Sequence, residues 1–278
     1  MNPAHRRPPM TVTFWGVRGS TSAPDRQFCE FGGHTPCVEV KCGDRRVVFD
    51  AGSGIQALGK TLPAASRVDV FFGHFHYDHV EGLPFFQPLY DPRANITLWS
   101  GHMRRPDATR RMLKSFMRAP FFPVGPEVFR AAVDCKDFRP QISIPLGDGI
   151  QVSTGRLNHP GNAVAYRLDF AGRSVCYLTD HEHGNPRIDR ALERFAANAD
   201  LVVWDAMYSD GNYSAHRGYG HSTWEEGLRF AERARVGRCA LFHHSPDATD
   251  SVLAAQAAAA ERTRPGSITA RDGLVIEV

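Results

Sequence analysis

Residues 73–82 read GHFHYDHVEG, and four of the first seven positions are His74, His76, Asp78 and His79. An imidazole buried in a core is normally satisfied singly, by one donor or acceptor, and a solvated one has no reason to repeat. Three imidazoles and a carboxylate packed this tightly therefore point to a metal. The preceding VDVFF (68–72) has the β-branched and aromatic character of a buried strand. A chain leaving such a strand in an extended or turning form projects His74, His76 and Asp78 to one side and His79 elsewhere, toward a second metal. Nitrogen and oxygen donors without thiolate suit zinc first, with manganese or iron as alternatives.

The rest of the chain sets the limits within which that reading holds. It has 278 residues, 42% of them hydrophobic and 23% charged, enough to bury a large core. The basic start, MNPAHRRPPM, has no apolar run behind it, and no uncharged stretch approaches the ~18 residues of a membrane span. These features fit a soluble, cytoplasmic protein. The six cysteines form no C-x-x-C pair, so reduced thiols are expected rather than a zinc knuckle. Lys and Arg total 33 against 30 Asp and Glu, and a net charge of +3 does not by itself argue for nucleic acid. Basic character is local: Arg104, Arg105, Arg110, Arg111, Lys114 and Arg118 surround the lone Asp107. Met112, Leu113, Phe116 and Met117 recur there at helical spacing, with Arg110, Lys114 and Arg118 on another face. That face reads either as solvated or as a rim attracting phosphates. The APFFPVGPEVF that follows, proline-ended and aromatic, fits a lid or a contact between two copies of the chain, as in a homodimer.

Eleven segments have strand character, from TVTFWGV (11–17) through SVCYLTD (174–180) and CALFHHS (239–245) to LVIEV (274–278). Helices are expected at STWEEGLRFAERARVG, with Ser222 as N-cap, Glu225 three positions on and Gly237 closing, and at DSVLAAQAAAAER. No repeat or linker divides the chain. One α/β domain over residues 1–278 is expected, with two sheets and helices outside them. Three strand ends add polar residues: His159 in LNHPGN, Asp180 in CYLTDHEHG, and His243 and His244 in CALFHHSP. Singly each reads as well as a turn or a satisfied histidine; together they complete a site for two metals.

With these residues in place, the chain resembles the metallo-β-lactamase superfamily, whose His-x-His-x-Asp-His motif recurs as His74, His76, Asp78 and His79. The resemblance implies a four-layer αββα sandwich with a dinuclear site at one edge of the sheets. It makes His159 the third histidine, Asp180 the metal-bridging carboxylate and His243 or His244 the last ligand. His243 is preferred because it lies two residues before Ser245, as in the THFS ending of tRNA 3′-processing endonucleases, and a strand neighbour would face away. FWGVRGSTSAP (14–24), FGGHTPC (31–37) and FDAGSGIQALG (49–59) look like the N-terminal signature of the phosphodiesterase branch, with His34 in place of the expected Asn. WDAMYSD and GYGHSTWEE resemble the same branch and assign Asp205 and His221 as the carboxylate–histidine pair near the leaving group.

What this resemblance implies is hydrolysis of a small phosphodiester, cyclic ones included. A hydroxide bridging two divalent ions would attack, Asp78 would serve as ligand and catalytic group, and His221 ordered by Asp205 would assist the leaving alkoxide. An RNA-processing nuclease is the chief rival, although residues 104–140 form a short proline-ended insert rather than a long glycine-rich arm. A lactonase or thioesterase of the same superfamily and a non-catalytic nucleotide-binding sensor are the others. The glycines at 19, 32, 33, 52 and 54 read equally as tight turns or phosphate contacts. Arg18 either orients substrate or pairs with Asp50, and His181 and His183 are expected to support the site rather than ligate.

Overall fold

The structure, a computed structural model, describes residues 10–278; the basic start at residues 1–9 lies outside them. The first half of the chain lays down β1 (Met10–Gly16), β2 (Cys37–Cys42), β3 (Arg45–Phe49), β4 (Arg67–Phe72), β5 (Asn95–Ser100) and β6 (Ala132–Asp137), with α1 (Ile55–Thr61) and α2 (Ala108–Phe116) between them. The second half provides β7 (Ser143–Gly147), β8 (Ile150–Leu157), β9 (Ala163–Phe170), β10 (Arg173–Leu178), β11 (Leu201–Asp205), β12 (Arg238–Phe242) and β13 (Ile268–Thr269). Its helices are α3 (Pro186–Phe195), α4 (Asp210–Tyr213), α5 (Trp224–Arg233) and α6 (Asp250–Thr263). The last strand, β14 (Val275–Glu277), returns to pair with β1.

Among the described residues this gives two seven-stranded sheets, ordered β14-β1-β2-β3-β4-β5-β6 and β13-β12-β11-β10-β9-β8-β7. Each sheet is antiparallel on one side and parallel on the other: β3 to β6 run parallel, as do β10 to β13. Period-2 alternation then assigns every side chain to a layer. In β10, β11 and β12, Val175, Tyr177, Leu201, Val203, Ala240 and Phe242 face the other sheet, meeting Val12, Phe14, Val40, Phe49 and Phe71. Their neighbours Cys176, Leu178, Val202, Trp204 and Leu241 face outward and are covered by Leu192 of α3, Leu228 and Phe230 of α5 and Ala260 of α6. On the first sheet, Val48, Val70, Phe72 and Leu98 meet Ile55 and Leu58 of α1 and Leu113 of α2. The result is the four-layer αββα sandwich. All six cysteines are free, and no helix among the described residues is long and apolar enough to cross a membrane.

Three strands escape the sequence reading for identifiable reasons. β6 is a half-exposed edge carrying Asp134, Lys136 and Asp137, β7 contains Pro145 and is also an edge, and β13 has two residues. The polar α3 is also missed, although Asn185 caps it by accepting from the Arg187 and Ile188 amides and Pro186 opens it. The expected cap of α5 shifts by one residue. Thr223 has an extended backbone and accepts from the Glu226 amide, while the Ser222 hydroxyl meets His183 Nδ1 at 2.7 Å. The helix ends at Arg233 with Ala234 as C-cap, before Gly237 is reached. Thr223→Ala should therefore lower unfolding free energy by about 1 kcal/mol in urea titration.

Candidate metal centre

The parallel strands of both sheets deliver their carboxyl ends to one edge, where open α/β sheets leave a crevice. Asp50 follows β3, His74 follows β4 after Gly73, Asp180 follows β10, Asp205 ends β11 and His243 follows β12. Three of these turn off their strands in the left-handed region, at φ 61° for Asp50, 60° for Asp180 and 59° for His243. Each such residue costs about 1–2 kcal/mol and persists only where its surroundings hold it. The Asp180 amide donates to Asp205 Oδ2 at 2.9 Å, and the Asp50 amide to the Phe71 carbonyl at 3.0 Å. Gly19, read as a tight turn or a phosphate contact, and a second glycine in fact make room for imidazoles. A Cβ on Gly19 would lie 2.4 Å from His243 Nδ1, and one on Gly220 (φ 89°), absent from the sequence reading, 2.2 Å from His159 Nδ1.

Asp180 sits between two groups of side chains. Its Oδ1 lies 4.0 Å from His74 Nε2 and 4.0 Å from His159 Nε2, and His159 Nε2 is 3.3 Å from His76 Nδ1. Its Oδ2 lies 3.2 Å from His79 Nε2 and 3.4 Å from His243 Nε2, and the same two nitrogens are 3.2 and 3.4 Å from Asp78 Oδ2. The trio His74, His76 and His159 and the trio Asp78, His79 and His243 are each spaced to hold one cation, with Asp180 facing both. His76 is exposed and His159 half-buried, so the first trio opens to solvent, while the second is buried.

The donors are oriented from behind. Asp50 Oδ2 meets His79 Nδ1 at 2.7 Å and accepts from the Tyr177 hydroxyl at 2.7 Å, while Oδ1 accepts from the Gly73 amide. The Gly220 carbonyl meets His159 Nδ1 at 2.8 Å, and Asp205 Oδ2 meets His221 Nδ1 at 2.9 Å. The forward-facing atoms have no such partners. Both ring nitrogens of His74 and of His243, His79 Nε2 and Asp180 Oδ2 are buried without a hydrogen bond. Orphaned polar atoms of this kind cost free energy unless a cation satisfies them, so the donor set fits divalent metal ions.

Charge divides the donors as ligation requires. Burial pushes His74, His76 and His159 below the ordinary histidine range, which favours neutral imidazoles. Burial alone would raise Asp180, but the charges of His243, His79 and His74 hold it well below the carboxylate range; Asp78 is held low by His79 and His243 in the same way. His221 is also pushed down by burial, yet Asp205 and Asp180 carry it up to about 9.

The remaining sequence candidates go elsewhere. His244 is fully buried, bonds the Ala270 carbonyl at 2.8 Å and stays outside both trios. His181 bonds Asp189, and His183 stacks on Tyr213. Arg18 does not pair with Asp50. It is buried, with Nε donating to the Gly32 carbonyl and Nη1 to those of Ser245 and Ala248, which ties the N-terminal loop to the loop after β12. The role of Asp50 in holding His79 was missed in sequence; its one signal is an acid at the end of the strand RRVVFD.

Residues 45–244 match the family described as "Beta-lactamase superfamily domain". Among characterised relatives, the Ribonuclease Z of Thermoplasma acidophilum is 25% identical over 284 aligned positions, covering 86% of this chain and 88% of that protein. The Ribonuclease Z of Bradyrhizobium diazoefficiens is 25% identical over 310, covering 94% and 97%. The fold is similar to that of the metallo-beta-lactamase fold protein YhfI from Bacillus subtilis, with TM-score 0.74, 20% identity and coverage of 98% and 100%. It is also similar to a diphosphatase from the PhnP family, with TM-score 0.70, 22% identity and coverage of 97% of both chains. With the family model matched over most of the chain, the sandwich formed and the donors gathered at the sheet edge, the chain belongs to the beta-lactamase superfamily, as a metal-dependent hydrolase.

Proposed function

We propose that the chain is a dinuclear phosphodiesterase that hydrolyses a small phosphodiester, with residues 1–278 acting as one hydrolase domain. The observation that carries this reading is Asp180, whose two oxygens each face a separate trio of donors. His74, His76 and His159 would hold one ion, and Asp78, His79 and His243 the other, with zinc the best match to five imidazoles. When bound, the two ions supply Lewis acidity toward the phosphoryl oxygens and lower the pKa of water to near neutrality.

The protein's own groups do the rest. Asp50 accepts only, so it places the proton of His79 on Nδ1 and leaves Nε2 free for the cluster. Asp205 fixes His221 Nδ1–H in the same way and leaves Nε2 to face the substrate, where it would donate a proton to the departing alkoxide. This pair favours a phosphodiester over a lactone or thioester, whose leaving groups need less assistance, and the full donor set speaks against a non-catalytic sensor. A small substrate is favoured because residues 104–140 fold back as α2 and β6, with β6 paired in register to β5. RNA cleavage is the second reading, supported by the Ribonuclease Z relatives that align over most of the chain.

Purified protein should carry about two metal ions per chain by elemental analysis. Asp180→Ala should lose bound metal and most turnover while its circular dichroism stays that of the parent; unchanged metal content and activity would refute the shared carboxylate. His243→Ala should lower metal content, whereas His244→Ala should keep it and lose about 1–3 kcal/mol of stability through the stranded Ala270 carbonyl and lost packing. His221→Ala should keep both ions yet lose about 10²–10⁴ in turnover on an alkyl diester. On a nitrophenyl diester, whose leaving group departs without a proton, the loss should be far smaller. Equal losses on the two substrates would assign His221 to phosphoryl-oxygen stabilisation instead.

A further inference from the structure

Beside the cluster lies a cavity of about 330 Å³ lined by His102, Arg104, Arg139, Arg156 and Asn162. A wider groove shares Arg156 and Asn162 with it and reaches His159, so the cavity adjoins the groove that borders the first histidine trio. The three arginines come from separate parts of the first and second sheets: the loop after β5, the loop between β6 and β7, and β8. None has a carboxylate partner among the described residues, whereas Arg167 and Arg173 on β9 and β10 are paired with Asp169 and Asp200. The acid nearest in sequence, Asp137, is already engaged by the Thr109 amide and hydroxyl. At the inner wall the His102 ring packs edge-on against Phe75 at 4.3 Å and stands 6.5 Å from the His74 ring, and its Nδ1 is buried without a partner.

Three arginines that line one small cavity without a carboxylate partner among the described residues repel each other and concentrate anions. Their planar forks match phosphate oxygens. A phosphate monoester, with about two negative charges, answers this charge better than the single charge of a diester. We propose that this pocket is a subsite for a second phosphate of the substrate, so that the favoured substrate is a diester bearing a further phosphate monoester. The proposal rests on the phosphodiesterase reading and deepens it, naming a phosphorylated nucleotide-type diester as the substrate class. That second phosphate comes either from a phosphorylated small molecule or from the end of an oligonucleotide.

The test uses a matched pair, the p-nitrophenyl ester of thymidine 5′-phosphate with and without a 3′-phosphate, and reads the ratio of their kcat/KM values. The wild-type ratio should be about tenfold or more in favour of the 3′-phosphorylated compound. In Arg139→Ala/Arg156→Ala it should fall toward one, and in Arg111→Ala, whose exposed side chain lies on α2 outside the cavity, it should persist. A wild-type ratio near one, a ratio kept in the double variant, or an equal fall in Arg111→Ala would overturn the subsite. Calorimetric titration of the purified protein with thymidine 3′,5′-bisphosphate and thymidine 5′-phosphate reads the same preference without turnover. If neither ester is hydrolysed but the bisphosphate binds more tightly in an arginine-dependent way, the subsite stands and the phosphodiesterase reading falls. Comparing a 3′-phosphorylated dinucleotide with a 3′-phosphorylated oligonucleotide separates the two sources: a higher kcat/KM for the dinucleotide assigns the small molecule, and for the oligonucleotide the chain end.

Discussion

The buried carboxylate of Asp180 is the constraint around which the site is arranged. An ionised carboxylate removed from water costs several kcal/mol unless positive charge or donors face it, and here burial is opposed by His243, His79 and His74. Those histidines come from the segment after β4 and the turn after β12, so the corresponding ends of the two facing sheets must come together for the carboxylate to be tolerable at all. The geometry that satisfies the charge also separates the donors into two trios, because the two oxygens point in different directions. Charge compensation and the separation of the donors into two trios are thus the same structural feature.

That arrangement is transmitted to the hydrophobic core through Asp50. Tyr177 of β10 stacks on Phe49 of β3 with centroids 5.1 Å apart, joining the inner faces of the two sheets, and its hydroxyl donates to Asp50. Asp50 in turn holds His79. A change in how the sheets pack would therefore rotate an imidazole at the edge, which links core packing directly to the chemistry of the site. The left-handed turns at Asp50, Asp180 and His243 concentrate backbone strain at these positions, and the parallel strands beneath them supply the rigidity that maintains it.

Away from the cluster, arginines divide between bracing and display. Arg18 is buried and spends its donors on three backbone carbonyls, fixing the loops on which Ser20 and His243 depend. The Ser20 amide then donates to Asp78 Oδ2 at 2.8 Å, so this brace reaches a donor of the second trio. Arg104, Arg139 and Arg156 are exposed, have no carboxylate partner among the described residues and line one cavity, which shares Arg156 with the groove that reaches His159.

The local motif His74, His76, Asp78 and His79 was legible in sequence because its spacing along a few residues already dictates proximity. His159, Asp180 and His243 stood out only as polar strand ends, and their separate roles came from resemblance to a family, since nothing in their separate segments says that three distant strand ends converge. The structure also changes the reason for separating His243 from His244. Strand alternation was the sequence argument, but β12 ends at Phe242, and it is the left-handed turn at His243 that aims this ring inward while His244 is drawn to the Ala270 carbonyl. Asp50, the bracing role of Arg18, the Thr223 cap and the edge strands β6 and β7 were decided by tertiary structure alone. Each depends on a partner far along the chain or on burial at a sheet edge, and neither quantity is written in local composition. Hydrophobic periodicity and strand-end polarity determined the layers and the kind of chemistry; the meeting of two sheet edges determined which atoms face each other.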